Sequence, residues 1–135
     1  MIVADTNLVS YLLIEGERTE AARKVYMRDS DWRAPPLWRS DFLNVLTHST
    51  RVGVLDERTA NIAWTRAVSL LTGREISPRP NQVLRAAIGR TISAYDAQFV
   101  AVAAVLQAPL VSGDKRLVKA CPDVAISIEG FAEQR

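Results

Sequence analysis

Met1-Ile2-Val3-Ala4-Asp5-Thr6-Asn7 is the stretch that decides the fold of this chain. A short apolar run leads into an acid and two small polar residues, and a second apolar segment follows at 8–13. The pattern predicts a buried strand that ends at Asp5 and a helix directly after it, because Asp, Thr and Asn satisfy free amides at helix starts. Ligands of open parallel sheets bind at the carboxyl ends of strands, so Asp5 is a candidate for chemistry as well as for a helix cap.

The composition is typical of one folded domain. The 135 residues are 48% hydrophobic, enough for a sizeable core, and no linker or repeat divides residues 1–135. A net charge of +2 permits a nucleic-acid partner without requiring one. The single cysteine, Cys121, excludes an internal disulfide and fits a reducing compartment. With no signal peptide and no apolar run near the ~20 residues of a membrane span, we expect a cytoplasmic protein.

Strand-like and helix-like segments alternate along the chain. Apolar periodicity predicts helices within 17–29 and at 37–52, 57–71, 81–88, 94–107 and 115–120. Short extended segments are predicted at 32–36, 75–78, 109–112 and 124–128. This alternation favours an α/β fold with a mainly parallel central sheet and helices on both faces.

Four aspartates recur at comparable places in this pattern. Asp5 and Asp114 follow predicted strands, while Asp41 and Asp96 lie on the inward faces of predicted helices. Each has an ordinary interpretation, as a helix cap or as an acid that complements a helix dipole. If the strands are parallel, however, Asp5 and Asp114 share one edge of the sheet. Asp96 begins the helix that leads into the strand before Asp114.

Several carboxylates in one cleft would repel one another and would be costly to desolvate without a counter-charge. No run of Lys or Arg lies near all four acids, and histidine and cysteine ligands are lacking. A divalent cation is the natural neutralising group, and an all-oxygen site favours Mg²⁺ or Mn²⁺ over zinc. Water activated by such an ion can attack a phosphodiester.

Other polar residues near these acids are candidates for supporting roles. Asn7 and Ser112 are close enough in sequence to orient Asp5, a water or a substrate. The cations Arg39, Lys115 and Arg116 flank the acids and are candidates for phosphate contacts; their ordinary interpretation is as solvated cations beside acids.

Four segments together resemble the PIN-domain nucleases and, more narrowly, the VapC-type toxins of toxin–antitoxin pairs. They are residues 5–7, 36–46, 93–98 and 110–117, and their order and spacing match over nearly the whole chain. The resemblance implies an endoribonuclease that depends on Mg²⁺ or Mn²⁺, with a central parallel sheet of about five strands. It also implies a homodimer, and an antitoxin whose C-terminal segment occupies the active-site groove.

The resemblance places the site at Asp5, Asp41, Asp96 and Asp114, with one departure. The family usually has Glu at the position of Asp41, whose carboxylate is one methylene shorter and is expected to reach an ion through water. Gly113 is a lesser variation, which we interpret as a flexible turn.

Two other functions stay open. A catalytically silent family member would bind RNA or an antitoxin without cutting, and Asp41 motivates this alternative. A response-regulator receiver is also a small α/β domain that binds Mg²⁺ through acids near strand ends. A receiver, however, predicts an acidic cluster after the first strand, where this chain has Asp5-Thr6-Asn7. We therefore favour the ribonuclease.

Overall fold

The computed structural model describes residues 1–134 and shows a parallel sheet flanked by helices. Over those residues the strands are β1 (Ile2–Ala4), β2 (Trp32–Arg33), β3 (Leu110–Ser112) and β4 (Ala125–Ser127). Their order is β2-β1-β3-β4, and every neighbouring pair is parallel. A single parallel bridge joins Ala34 to Glu75, within the segment predicted as a further strand. The predicted α/β class with a mainly parallel sheet is confirmed.

Eight helices accompany the strands within residues 1–134. They are α1 (Thr6–Leu13), α2 (Thr19–Arg28), α3 (Trp38–Arg51), α4 (Glu57–Leu71), α5 (Pro80–Arg90), α6 (Ala94–Leu106), α7 (Lys115–Ala120) and α8 (Ile128–Ala132). The first seven agree in position with the predicted segments. The sequence analysis did not predict α8, because five residues are too few to show helical periodicity. No helix in the described part of the chain is long and apolar enough to span a membrane.

The centre of the core lies around β1, whose three residues are at most 1% exposed. Strands of a parallel sheet are covered on both faces, which explains why β1 is apolar throughout and why β3 is apolar up to its last residue, Ser112. Helix α6 packs against both of these strands and has five consecutive buried residues, Phe99 to Ala103. Burial on most sides explains why the helix is apolar throughout from Phe99 onward.

An aromatic cluster fixes α3 against α4. Trp38 and Phe42 are fully buried, and the Trp38 ring stacks on Trp64 with 5.4 Å between the ring centroids. The indole nitrogen of Trp38 donates to Glu75 at 3.1 Å. Because Asp41 directly precedes Phe42, this packing also determines where α3 places the Asp41 carboxylate.

Candidate metal centre

The structure brings the four predicted aspartates together around one cavity of about 240 Å³. Asp5 directly follows β1, and Asp114 lies two residues after β3. Because β1 and β3 are parallel neighbours, these two acids meet at the same edge of the sheet. Asp41 and Asp96 reach the cavity from the first turns of α3 and α6.

Asp5 serves as a helix cap and as part of this cavity at the same time. Its Oδ1 accepts a hydrogen bond from the Leu8 amide at 2.8 Å, which begins α1. Its Oδ2 accepts from the Ser112 hydroxyl at 2.6 Å and from the Gly113 amide at 3.1 Å. Burial nevertheless raises the pKa of Asp5 from 3.8 to about 6, although these hydrogen bonds oppose the rise. The carboxylate is therefore held rigidly but is insufficiently solvated.

Ser112 links the two acids that follow strands. Its side chain is buried, donates to Asp5 and accepts from the Asp114 amide at 3.0 Å. Asp114 in turn caps α7, because its Oδ1 accepts from the Arg116 and Leu117 amides at 2.9 and 3.2 Å. The orienting role predicted for Ser112 thus has a direct geometric counterpart.

Gly113 lies where the β3–α7 turn passes close to α1. A Cβ at this position would stand 2.8 Å from Cε2 of Tyr11, 3.2 Å from Cβ of Asn7 and 3.3 Å from Cδ1 of Ile128. Its backbone lies outside the left-handed region that favours glycine. Glycine is therefore required by the close approach of α1, rather than by the turn flexibility that the sequence analysis proposed.

Asp41 and Asp96 are both partly buried beside the cavity. The Thr6 hydroxyl donates to Oδ2 of Asp41 at 3.3 Å. Burial raises the pKa of both carboxyls; the charge of Asp96 further raises that of Asp41, and Asp114 further raises that of Asp96. The four acids thus form a chain of neighbouring, mutually repelling carboxylates.

The residues around the cavity fit a hard divalent cation. Within residues 1–134 no three acidic, histidine or cysteine side chains converge closely enough to form a ready-made ligand group. Mg²⁺ does not need one, because it is commonly held by one or two carboxylates while waters complete its coordination. Desolvation and repulsion between the carboxylates raise the pKa of three of these acids. A bound cation would offset both effects, because it stabilises the ionised carboxylates.

The predicted supporting residues separate into two groups. Asn7 lines the acidic cavity, and Arg116 is close enough to lower the pKa of Asp96. Lys115 is exposed at the start of α7. Arg39 does not line the cavity, because its guanidinium is bound to both carboxylate oxygens of Glu75 at 2.8 and 3.0 Å.

The sequence analysis missed two polar residues that line the cavity, Thr6 and Asn44. Thr6 lies within the opening motif, where only its neighbours were singled out. Asn44 is three residues after Asp41 on α3, so helical spacing alone could have placed it on the same face. Both residues add hydrogen-bonding capacity beside the carboxylates.

The fold and the site define a small α/β domain whose parallel sheet carries an acidic cavity suited to a divalent cation. The family model for the PIN domain matches residues 2–121, and the chain belongs to the PIN domain family. PIN domains are in general nucleases that use divalent metal ions. This membership confirms the resemblance to PIN domains seen in the sequence and removes the receiver alternative.

Two solved structures are similar to this fold. PAE2754 from Pyrobaculum aerophilum is 22% identical with a TM-score of 0.76, over 97% of this chain and 92% of that one. FitAcB from Neisseria gonorrhoeae is 19% identical with a TM-score of 0.66, over 95% of this chain and 98% of that one. A comparison with curated proteins finds no match. At these identities the structural similarity shows a shared fold.

Proposed function

We propose that this protein is a metal-dependent endoribonuclease and that it acts as the toxin of a toxin–antitoxin pair. The observation that carries the proposal is the cavity of a PIN domain lined by Asp5, Asp41, Asp96 and Asp114. These carboxylates would hold Mg²⁺ or Mn²⁺, Asp41 through water because of its shorter side chain. When bound, the ion supplies a Lewis acid for the phosphodiester and for the attacking water.

The residues of the chain itself prepare the site for this chemistry. Three hydrogen bonds fix the orientation of Asp5, so a cation would meet a preorganised ligand. The pKa of Asp5, about 6, leaves its carboxylate ionised at neutral pH and protonated in mild acid. Proton and cation therefore compete for Asp5, and we expect activity to fall as the pH drops through 6.

Polar side chains beside the acids are suited to the substrate. Asn7 and Asn44 line the cavity with amide groups that can donate to phosphate oxygens or to sugar hydroxyls. Arg116 lies near Asp96 and can contact a phosphate at the rim. This arrangement supports the binding of a single-stranded RNA backbone at the acidic cavity.

The partners are proposed from the motif resemblance. We infer a cognate antitoxin, a homodimer and a cytoplasmic location on that basis. The homodimer is supported by α5, whose Leu84 and Ile88 side chains are 56% and 76% exposed. Exposed apolar side chains grouped on one helix favour a face that another chain covers. Light scattering of the purified protein tests this state, and a monomer at micromolar concentration would contradict it.

Cleavage assays with matched variants test the nuclease. Wild-type protein is mixed with structured RNA and Mn²⁺, and defined cleavage is expected that EDTA abolishes. Asp5→Asn should lower the rate by at least about 100-fold, the upper range for groups that support a metal site. Glu17→Gln removes one exposed carboxylate that does not line the cavity and should cut like the wild type. Cleavage without metal, or equal cleavage by Asp5→Asn, would contradict the proposal.

A catalytically silent family member is the second candidate. It is favoured by the shorter Asp41 side chain, which Thr6 already engages. This candidate predicts RNA or antitoxin binding with no cleavage at any Mn²⁺ concentration. The same assay, run with a binding measurement, distinguishes the two.

A further inference from the structure

A second cavity lies on the other side of the turn that joins β3 to α7. It has a volume of about 460 Å³, and one of its walls is formed by two residues of that turn, Ser112 and Gly113. The next residue along the turn, Asp114, lines the acidic cavity instead. The two cavities are thus neighbours, because successive residues of the same turn line one and then the other at the carboxyl edge of the sheet.

We propose that this second cavity binds a backbone phosphate of the RNA strand whose scissile phosphate lies in the acidic cavity. The inference rests on the proposed function, since it assigns a further subsite for the same substrate. Two cations carry it. Arg18 and Lys115 both line the second cavity, together with the polar side chains of Ser127 and Glu129.

Lys115 is the simpler of the two cations. It is exposed and forms no salt bridge within residues 1–134, so its ammonium group is available to a ligand. It directly follows Asp114, which lines the acidic cavity. The proposed phosphate-binding cation, Lys115, is therefore adjacent in sequence to a carboxylate of the metal site, Asp114.

Arg18 is held in place with donors to spare. Its guanidinium carbon lies 4.9 Å from the centroid of the Tyr11 ring, and its Nη2 donates to Glu129 at 2.5 Å. Its Nε is buried without a hydrogen-bond partner within residues 1–134, but the side chain as a whole is 33% exposed, so part of the guanidinium stays open to a ligand. A guanidinium that is oriented by stacking and only partly paired suits the oxygens of a phosphate.

The charges explain why the substrate needs such a subsite. Four carboxylates at the acidic cavity repel RNA, and only part of that repulsion is removed by a bound divalent ion. Arg18, Lys115 and Glu129 together leave a net positive charge in the second cavity, directly beside the repulsive one. A volume of this size accommodates a phosphate with its sugar.

Salt-dependent RNA binding tests the inference. A labelled single-stranded RNA is titrated by anisotropy against Asp5→Asn protein with Mn²⁺, so that the RNA stays intact. Adding Arg18→Gln or Lys115→Gln should each weaken binding about fivefold at 0.1 M salt and reduce the salt slope by about 0.7. Together they should reduce the slope by about 1.4. The matched controls Lys24→Gln and Arg66→Gln are exposed cations that line neither cavity and should leave the slope unchanged.

Glu129→Gln gives an effect of opposite sign. Removing this carboxylate leaves the cavity more positive and frees Arg18, so RNA binding should tighten by at least about twofold. If the Arg18–Glu129 pair were only structural, the same change would weaken binding or leave it unaltered.

The outcomes separate this inference from the proposed nuclease. Cleavage by the wild type with an unchanged slope in the Arg18 and Lys115 variants overturns the inference and leaves the nuclease standing. RNA binding that depends on these cations without any cleavage supports the subsite and contradicts the nuclease. Equal losses in the control variants would indicate bulk charge and would overturn the inference. Unchanged RNA binding with weakened binding of an oligo-aspartate peptide would assign the cavity to a protein partner and overturn it as well.

Discussion

Replacing Asp5 by Asn should change how the stability of the fold depends on pH. Burial raises the pKa of Asp5 from 3.8 to about 6, so folding favours its protonated form. The stabilising contribution of that form is fully present below pH 4 and is lost as the pH rises through 6. The difference between these two pKa values corresponds to a loss of about 3 kcal/mol in the free energy of unfolding.

Asp5→Asn removes this pH-dependent loss of stability but introduces a smaller loss that does not depend on pH. Asn is neutral at every pH and can still accept the hydrogen bond from the Leu8 amide. Its NH₂ group, however, would face the Gly113 amide, and one unsatisfied contact costs about 1 kcal/mol. In metal-free buffer we therefore expect Asp5→Asn to be less stable than the wild type by about 1 kcal/mol at pH 4. At pH 7.5 it should be more stable by about 2 kcal/mol.

Urea unfolding followed by tryptophan fluorescence measures both proteins from pH 4 to pH 7.5 in EDTA. Subtracting the two curves isolates Asp5 from the other carboxyls, whose titration both proteins share. Added Mg²⁺ at pH 7.5 should stabilise the wild type more than the variant, because only the wild type has the full ligand set. A stability difference that stays constant with pH, or that grows in favour of the wild type as pH rises, would refute the reasoning.

Three further predictions concern positions around the site. Gly113→Ala should destabilise the fold by about 1–3 kcal/mol, because its Cβ would meet a ring carbon of α1 at 2.8 Å. Gly89→Ala should stabilise α5 by about 0.5–1 kcal/mol, because a Cβ at this position would have nothing within 4 Å. Thermal unfolding in which the two glycine variants change stability in the same direction would contradict this contrast. Asp41→Glu should bind Mn²⁺ more tightly by calorimetry, since the longer side chain brings its carboxylate further into the cavity; unchanged affinity would show that side-chain length is not limiting. Glu75→Ala should lower the free energy of unfolding by about 1–3 kcal/mol, because it leaves the buried Trp38 indole N–H unpaired. Glu75→Gln keeps an acceptor and should lower it less. Equal losses of the two variants in urea unfolding would rule out this hydrogen bond as the cause.

Local patterns were sufficient to predict most of the elements. The continuous apolar run before Asp5 indicates a strand covered on both faces, and Asp5-Thr6-Asn7 indicates a helix start, because both depend on a few adjacent residues. Both of the acids that follow strands do cap helices, as their ordinary interpretation required. They also line the cavity, so the cap and the site are one arrangement.

Long-range contacts were beyond the sequence analysis. Arg39 was a candidate for RNA, but a carboxylate 36 residues later binds it. Nothing local to Arg39 signals that Glu75 will arrive beside it through a single bridge at the β2 edge. The second cavity depends in the same way on Arg18, which reaches Glu129 across 111 residues.

By itself, the sequence determined the alternation of strands and helices and the positions of four acids within it. Those features follow from backbone torsion preferences, helix capping and apolar periodicity, which act over a few residues. Only the tertiary structure decided that Ser112 joins Asp5 to Asp114 and that Gly113 must lack a side chain. It also decided that Arg39 turns away from the cavity, because each of these outcomes depends on distant elements packing within a few ångströms of one another.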